Sequence, residues 1–131
     1  MRGNLSKKKG GGGGDVSGSI GYIIAPPNAT AEDKKKADLV LDDVNGSPHT
    51  QLADMVDMLH DRRSQNTDIA IVIEFCPGII ELPYDTNWEI PETKGNIYIY
   101  GNGVRITGDV GGGNGILHVQ GEDCKLSDIY T

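Results

Sequence analysis

The chain has 131 residues, 37% of them hydrophobic and 5% aromatic, with 19 glycines, 19 acidic and 12 basic side chains and a formal net charge of -7. That length accommodates one domain at most. No apolar run approaches the ~18 residues of a membrane span and no apolar signal segment opens the chain; two cysteines, Cys76 and Cys124, are too few for a disulfide scaffold and lack the paired spacing of a zinc site, so the fold must rest on packing.

Charge is unevenly spread. Arg2, Lys7, Lys8 and Lys9 stand between Met1 and Gly14 without one acid, so every acidic side chain falls in the rest of the chain, where they outnumber the remaining cations. An acidic body repels phosphate, which excludes nucleic acid as its partner, while the basic tip suits an acidic one. Residues 1–20 are expected to form a flexible attachment arm, because Gly10 to Gly14 after three lysines cannot repay the entropy of ordering by any burial of their own. The bland alternative is a disordered tail.

Residues 21–68 are predicted as a cap region. Tyr22-Ile23-Ile24 is a short strand stopped by Pro26-Pro27, and Ala29 to Lys36 is one helical turn or a loop. Ala37 to Leu41 is a compact strand, closed by the turn formers Asp42 to Pro48. The clearest helix spans about 50–63, with Thr50 as N-cap and Leu52, Met55, Val56 and Leu59 at i, i+3, i+4 and i+7. Arg62-Arg63 follow where the negative end of the helix dipole favours cations.

From residue 69 to 131 the pattern becomes β-branched and loses every helical period. Ile69 to Phe75 is followed by a Cys76-Pro77-Gly78 turn and Ile79 to Leu82, and then by short segments at Trp88–Ile90, Ile97–Tyr100, Val104–Ile106, Ile116–Val119 and Leu126–Tyr130. Ile80 and Ile99, Ile97 and Ile116, and Ile106 and Leu126 each stand roughly 20 residues apart, an interval that signals the coils of a solenoid. The predicted fold is mainly β: the first coils of a right-handed parallel β-helix with an N-terminal capping helix. Isoleucine, valine and leucine would fill its bore, glycine, asparagine and aspartate would turn its corners, and large aromatics would be rare inside. A β-sandwich is the competing arrangement; against it, no two-residue hairpin of the Asn-Gly kind joins alternating strands cleanly, Asn102-Gly103 coming nearest.

The order Ala37-Asp38, Asp42-Asp43 with Asn45-Gly46, a helix with Gln51 and Leu59, Ile71-Val72-Ile73 with Pro77-Gly78, and Ile97-Tyr98-Ile99-Tyr100-Gly101-Asn102-Gly103 with Ile106 resembles the opening of pectin-lyase-like β-helix proteins. The resemblance covers residues 37–131. It departs from that pattern at Ser64 to Asp68, where the superfamily has Gly-Gly. It implies that Leu52, Met55, Val56 and Leu59 cover the apolar end of the first coil. It also implies polysaccharide chemistry on clustered carboxylates with a basic residue, for which the candidates are Asp109, Glu122, Asp123, Asp128, Arg105 and His118. Most are instead explained as solvated corner residues, with His118 pointing outward if Leu117 and Val119 point in, so no catalytic, metal or cofactor site is predicted. Asp109 to Gly115 lacks the Lys-Ser/Thr ending of a phosphate loop. Cys76 and Cys124 are expected as buried thiols, and a bridge between them requires that they stack on neighbouring coils.

A basic N-terminal arm, a capped β-helix start and no export signal together predict a viral structural protein on the virion. It would be the particle-proximal part of a tail fibre, tailspike or capsid turret. It would bind other virion proteins through residues 1–19, associate as a homo-oligomer, most simply a trimer, and project later coils toward a host-surface glycan. No membrane insertion is expected. The alternatives are an extracellular polysaccharide lyase or hydrolase and a non-catalytic cell-surface adhesin module.

Overall fold

The computed structural model describes residues 19–42, 47–84, 86–108 and 116–131. The expected arm cations Arg2, Lys7, Lys8 and Lys9, residues 43–46 of the expected turn and the glycine-rich segment with Asp109 lie outside them. Among the described residues no helix is long and apolar enough to cross a membrane.

The protein is mainly β, with parallel strands. Strand β1 (Ser19–Ala25) ends where Pro26 and Pro27 remove ladder donors. Helix α1 (Ala31–Lys36) follows, its N-cap Thr30 accepting from the Asp33 amide, with Glu32 and Asp33 in the first turn and three lysines in the last. The short strand β2 (Leu39–Val40) lies parallel to the end of β1, where Asp38 uses its carboxylate to accept from the Ile23 amide at 2.8 Å.

Helix α2 (Ser47–Arg62) begins a turn earlier than predicted. Thr50 therefore lies inside the helix, and Pro48 occupies the first turn, where a missing N–H breaks no bond. Leu52, Met55, Val56 and Leu59 are all buried in the same core as the strands, and α2 packs beside β5 (Trp88–Ile90).

The other strands of this half are β3 (Ala70–Phe75), β4 (Ile79–Glu81), β6 (Ile97–Thr107), β7 (Leu117–Val119) and β8 (Lys125–Tyr130). Every pairing among the described residues is parallel, and the chain visits three ladders in turn. The first joins β1, β3, the start of β6 and the start of β8; the second joins β4 with the ends of β6 and β8; the third joins β5 and β7. Asn102-Gly103 is thus a corner inside β6 and not a hairpin: Asn102 takes a left-handed φ of 52° and donates to the Phe75 carbonyl at 2.9 Å.

The predicted coil spacing is not the register. Ile71 pairs with Ile97, Ile79 with Arg105, Tyr98 with Lys125 and Trp88 with Leu117, so each round takes up several residues more than the expected coil. Ile80 and Ile99 belong to different ladders, because three strands and three corners need more chain than two. A second difference lies upstream. Ser19 and Ile20 are not arm but sheet: β1 runs in register with β3 from Ser19 against Ala70, so the parallel sheet starts within the expected arm and continues through the expected cap region.

Alternate residues point inward and stack across rounds, as Ile20, Ile71 and Ile97 do, and as Ile80 and Ile106 do. Contrary to expectation, large aromatics are accommodated: Phe75 and Trp88 meet edge to face, with centroids 5.8 Å apart, and both are fully buried. Corners stack as tightly. A Cβ on Gly101 would lie 2.4 Å from the Asp128 carbonyl oxygen, and one on Gly95 2.5 Å from that of Glu122.

Two outcomes are expected in thermal or urea melts. Leu52→Asp places an unpaired charge in the core and lowers stability by roughly 3–5 kcal/mol. Gly101→Ala forces β6 and β8 apart and costs about 1–3 kcal/mol, whereas an alanine at Gly103 meets no neighbouring atom and bears only the strain of a left-handed φ.

Candidate functional site

The residues singled out for chemistry do not converge. Glu122 and Asp123 are exposed in the turn before β8, and Asp128 is exposed within it, accepting from the Tyr130 hydroxyl at 3.2 Å. Arg105 lies on the outer face of β6, 6.0 Å from the ring centre of Tyr130, its ladder partner on β8. His118 is exposed between the half-buried Leu117 and Val119, and faces its ladder neighbour Glu89 at 3.3 Å. Among the described residues no three His, Cys, Asp or Glu side chains gather as a metal ion would require. Cys76 and Cys124 are both free; burial, reinforced by Asp33, pushes the Cys76 thiol up and away from the reactive thiolate.

The densest polar constellation sits instead where α2 ends. Ser64 and Gln65 both take φ of 56°, the Gln65 amide donates to the His60 carbonyl, and the chain turns back beneath the helix. This reversal carries Arg63 inward. Both cations follow the helix end, where its dipole favours them, but Arg62 is exposed whereas Arg63 is only 2% exposed.

The Arg63 guanidinium is satisfied almost wholly by backbone. Nη1 donates to the Ile69 carbonyl at 2.6 Å and, at 3.4 Å, to that of Asn96; Nη2 donates to Gly95 at 2.7 Å; Nε donates to His60 Nδ1 at 3.0 Å. No carboxylate pairs with it among the described residues. Burial lowers its pKa from the ordinary arginine value, yet a guanidinium starting so high stays charged. One side chain therefore joins the end of α2, the entry to β3 and the entry to β6.

His60 is buried too. Because its Nδ1 accepts from Arg63, the neutral ring carries its proton on Nε2. Burial first, and then the nearby Arg63 and Lys94 charges, push its pKa below 6.5, against a smaller pull from Asp61 and Asp57. Beside it opens a cleft of about 440 Å³ lined by Asp57, His60, Asp61, Gln65, Thr93 and Lys94, with Lys94 paired to Asp57 at 3.1 Å. The imidazole lone pair is engaged by Arg63, so His60 has no free base to offer a substrate in that cleft. The arrangement holds elements together and does not assemble a nucleophile with its base.

Sequence reasoning missed this cluster. Its one local signal is the placing of His60 and Arg63 one helical turn apart across a helix end. The acceptors at Gly95 and Asn96 lie 32 and 33 residues away and have no sequence mark.

Arg63→Met should leave the Gly95 and Ile69 carbonyls without this donor and cost about 2–4 kcal/mol, while Arg62→Met stays within about 0.5 kcal/mol, both measured by chemical denaturation. Comparison of the chain with family models, with curated proteins and with solved structures gives no match.

Proposed function

We propose that the chain is the particle-proximal part of a virion appendage, a tail fibre, tailspike or capsid turret, built on a right-handed parallel β-helix of the pectin-lyase-like kind. The observation that carries this reading is the cyclic parallel order: the chain returns to the same ladder once per round with corners in between, and no pairing among the described residues is antiparallel. A stack of that kind is a rigid rod. Ahead of it stands a segment with Arg2, Lys7, Lys8 and Lys9 followed by Gly10 to Gly14, a composition suited to a tether.

In this reading, residues 1–18 engage an acidic surface on another virion protein, β1 begins the rod at Ser19, and α2 covers the side of the first round next to β5. Three copies associate, and later coils meet the host-surface glycan. The scatter of Glu122, Asp123, Asp128, Arg105 and His118 over separate outer positions favours a structural role over a lyase.

Deletion of residues 1–18 is expected to abolish incorporation into particles without altering the circular dichroism or melting of the body, and sedimentation of the full chain is expected to give the mass of three copies. A monomer that releases unsaturated uronates from acidic polysaccharides would overturn the proposal.

A further inference from the structure

The His60–Arg63 contact joins two groups that cannot both be cations and keep their hydrogen bond. Arg63 Nε donates to His60 Nδ1 at 3.0 Å, and both side chains are buried, at 2% exposure for Arg63 and 7% for His60. Protonation would set an N–H against an N–H and two positive charges in contact. The guanidinium is anchored by the carbonyls of Ile69, Gly95 and Asn96, so the imidazole is the partner free to leave. A destination lies beside it: the cleft of about 440 Å³ that His60 already lines holds the carboxylates of Asp57 and Asp61.

We propose that His60 and Arg63 form an acid-released latch, in which protonation of His60 moves the imidazole off Arg63 toward Asp57 and Asp61 and loosens the end of α2 from the starts of β3 and β6. The charged groups facing the pair come from every packed element. Asp57 and Asp61 on α2 favour the imidazolium, Lys94 from the turn between β5 and β6 and Arg63 itself oppose it, and Cys124 from the turn before β8 acts on Arg63. Lys94 is already engaged by Asp57, whereas Asp61 accepts from the Gln65 side-chain amide at 3.1 Å and is paired with no cation among the described residues.

The sign follows from linkage. The folded state holds the His60 proton less tightly than the unfolded chain, whose histidine titrates near 6.5, so the unfolded chain takes up protons first as pH falls. The latch contributes its full stability above that value. It loses stability progressively as pH drops from there to the lower folded value, below which no further loss occurs.

The test is an NMR titration of the three imidazoles in the full-length protein, combined with amide exchange of residues 60–69 and 94–97, corrected for the intrinsic effect of pH. His60 is expected to titrate below 6.5 from a neutral ring protonated on Nε2, and protection of both segments is expected to fall several-fold along the same titration. His60→Gln keeps an acceptor for Arg63 Nε without a titrating proton, and should keep protection at neutral pH while flattening its response to acid. If that variant does not fold, the wild-type titration still decides. A His60 that titrates at or above 6.5, a neutral ring protonated on Nδ1, protection that ignores the titration, or an unchanged acid response in His60→Gln each overturns the latch.

Discussion

A buried guanidinium must place its donors on oxygen or nitrogen, and around Arg63 these acceptors belong to three separate stretches of chain. That requirement organises the rest of the molecule. The end of α2, the carbonyl at Ile69 and the carbonyls at Gly95 and Asn96 can satisfy Arg63 together only if β3 and β6 begin side by side. Once they do, Ile71 faces Ile97 and Ile73 faces Ile99. Burying a charge on carbonyl dipoles, with no carboxylate beside it among the described residues, is costly wherever a partner is displaced, so the junction tolerates little variation in register.

The corners obey the same logic with neutral groups. Asn28 accepts from the Ile79 amide, Asn96 donates to the Thr67 carbonyl and Asn102 donates to that of Phe75, so side-chain amides replace ladder bonds at these three corners. Gly95 and Gly101 permit the next round to pass within contact distance, at Glu122 and Asp128. Packing between rounds is therefore continuous at strands and at corners alike, which gives the rod proposed above its stiffness.

Much of the fold was legible. The stripe of Leu52, Met55, Val56 and Leu59 announces a helix with one buried face, since the helical period leaves few other interpretations, and the β-branched runs announce strands at nearly their observed positions. Their register was not legible. Isoleucine and valine occupy inward positions on more than one ladder, so spacing alone cannot tell which strand returns to which ladder, and the recurrence visible in the sequence mixes them. Ser19-Ile20 likewise reads as arm because glycine and serine surround it; only pairing with Ala70 and Ile71 makes it sheet. The candidate site was hidden for the same reason, since Arg63 finds its acceptors on a stretch of chain that carries no charge pattern to reveal it.

What the residues determined by themselves was local: where apolar periodicity demands a helix or a strand, where proline and asparagine break it, and which cations close a helix. What only the tertiary structure decided was which of those cations went inside. Arg62 and Arg63 are indistinguishable neighbours in sequence, and the difference between an exposed cation and a buried clamp is made by the carbonyl oxygens of Gly95 and Asn96, far along the chain. A guanidinium can leave water only where such oxygens converge, and convergence is a property of packed chains, not of their order.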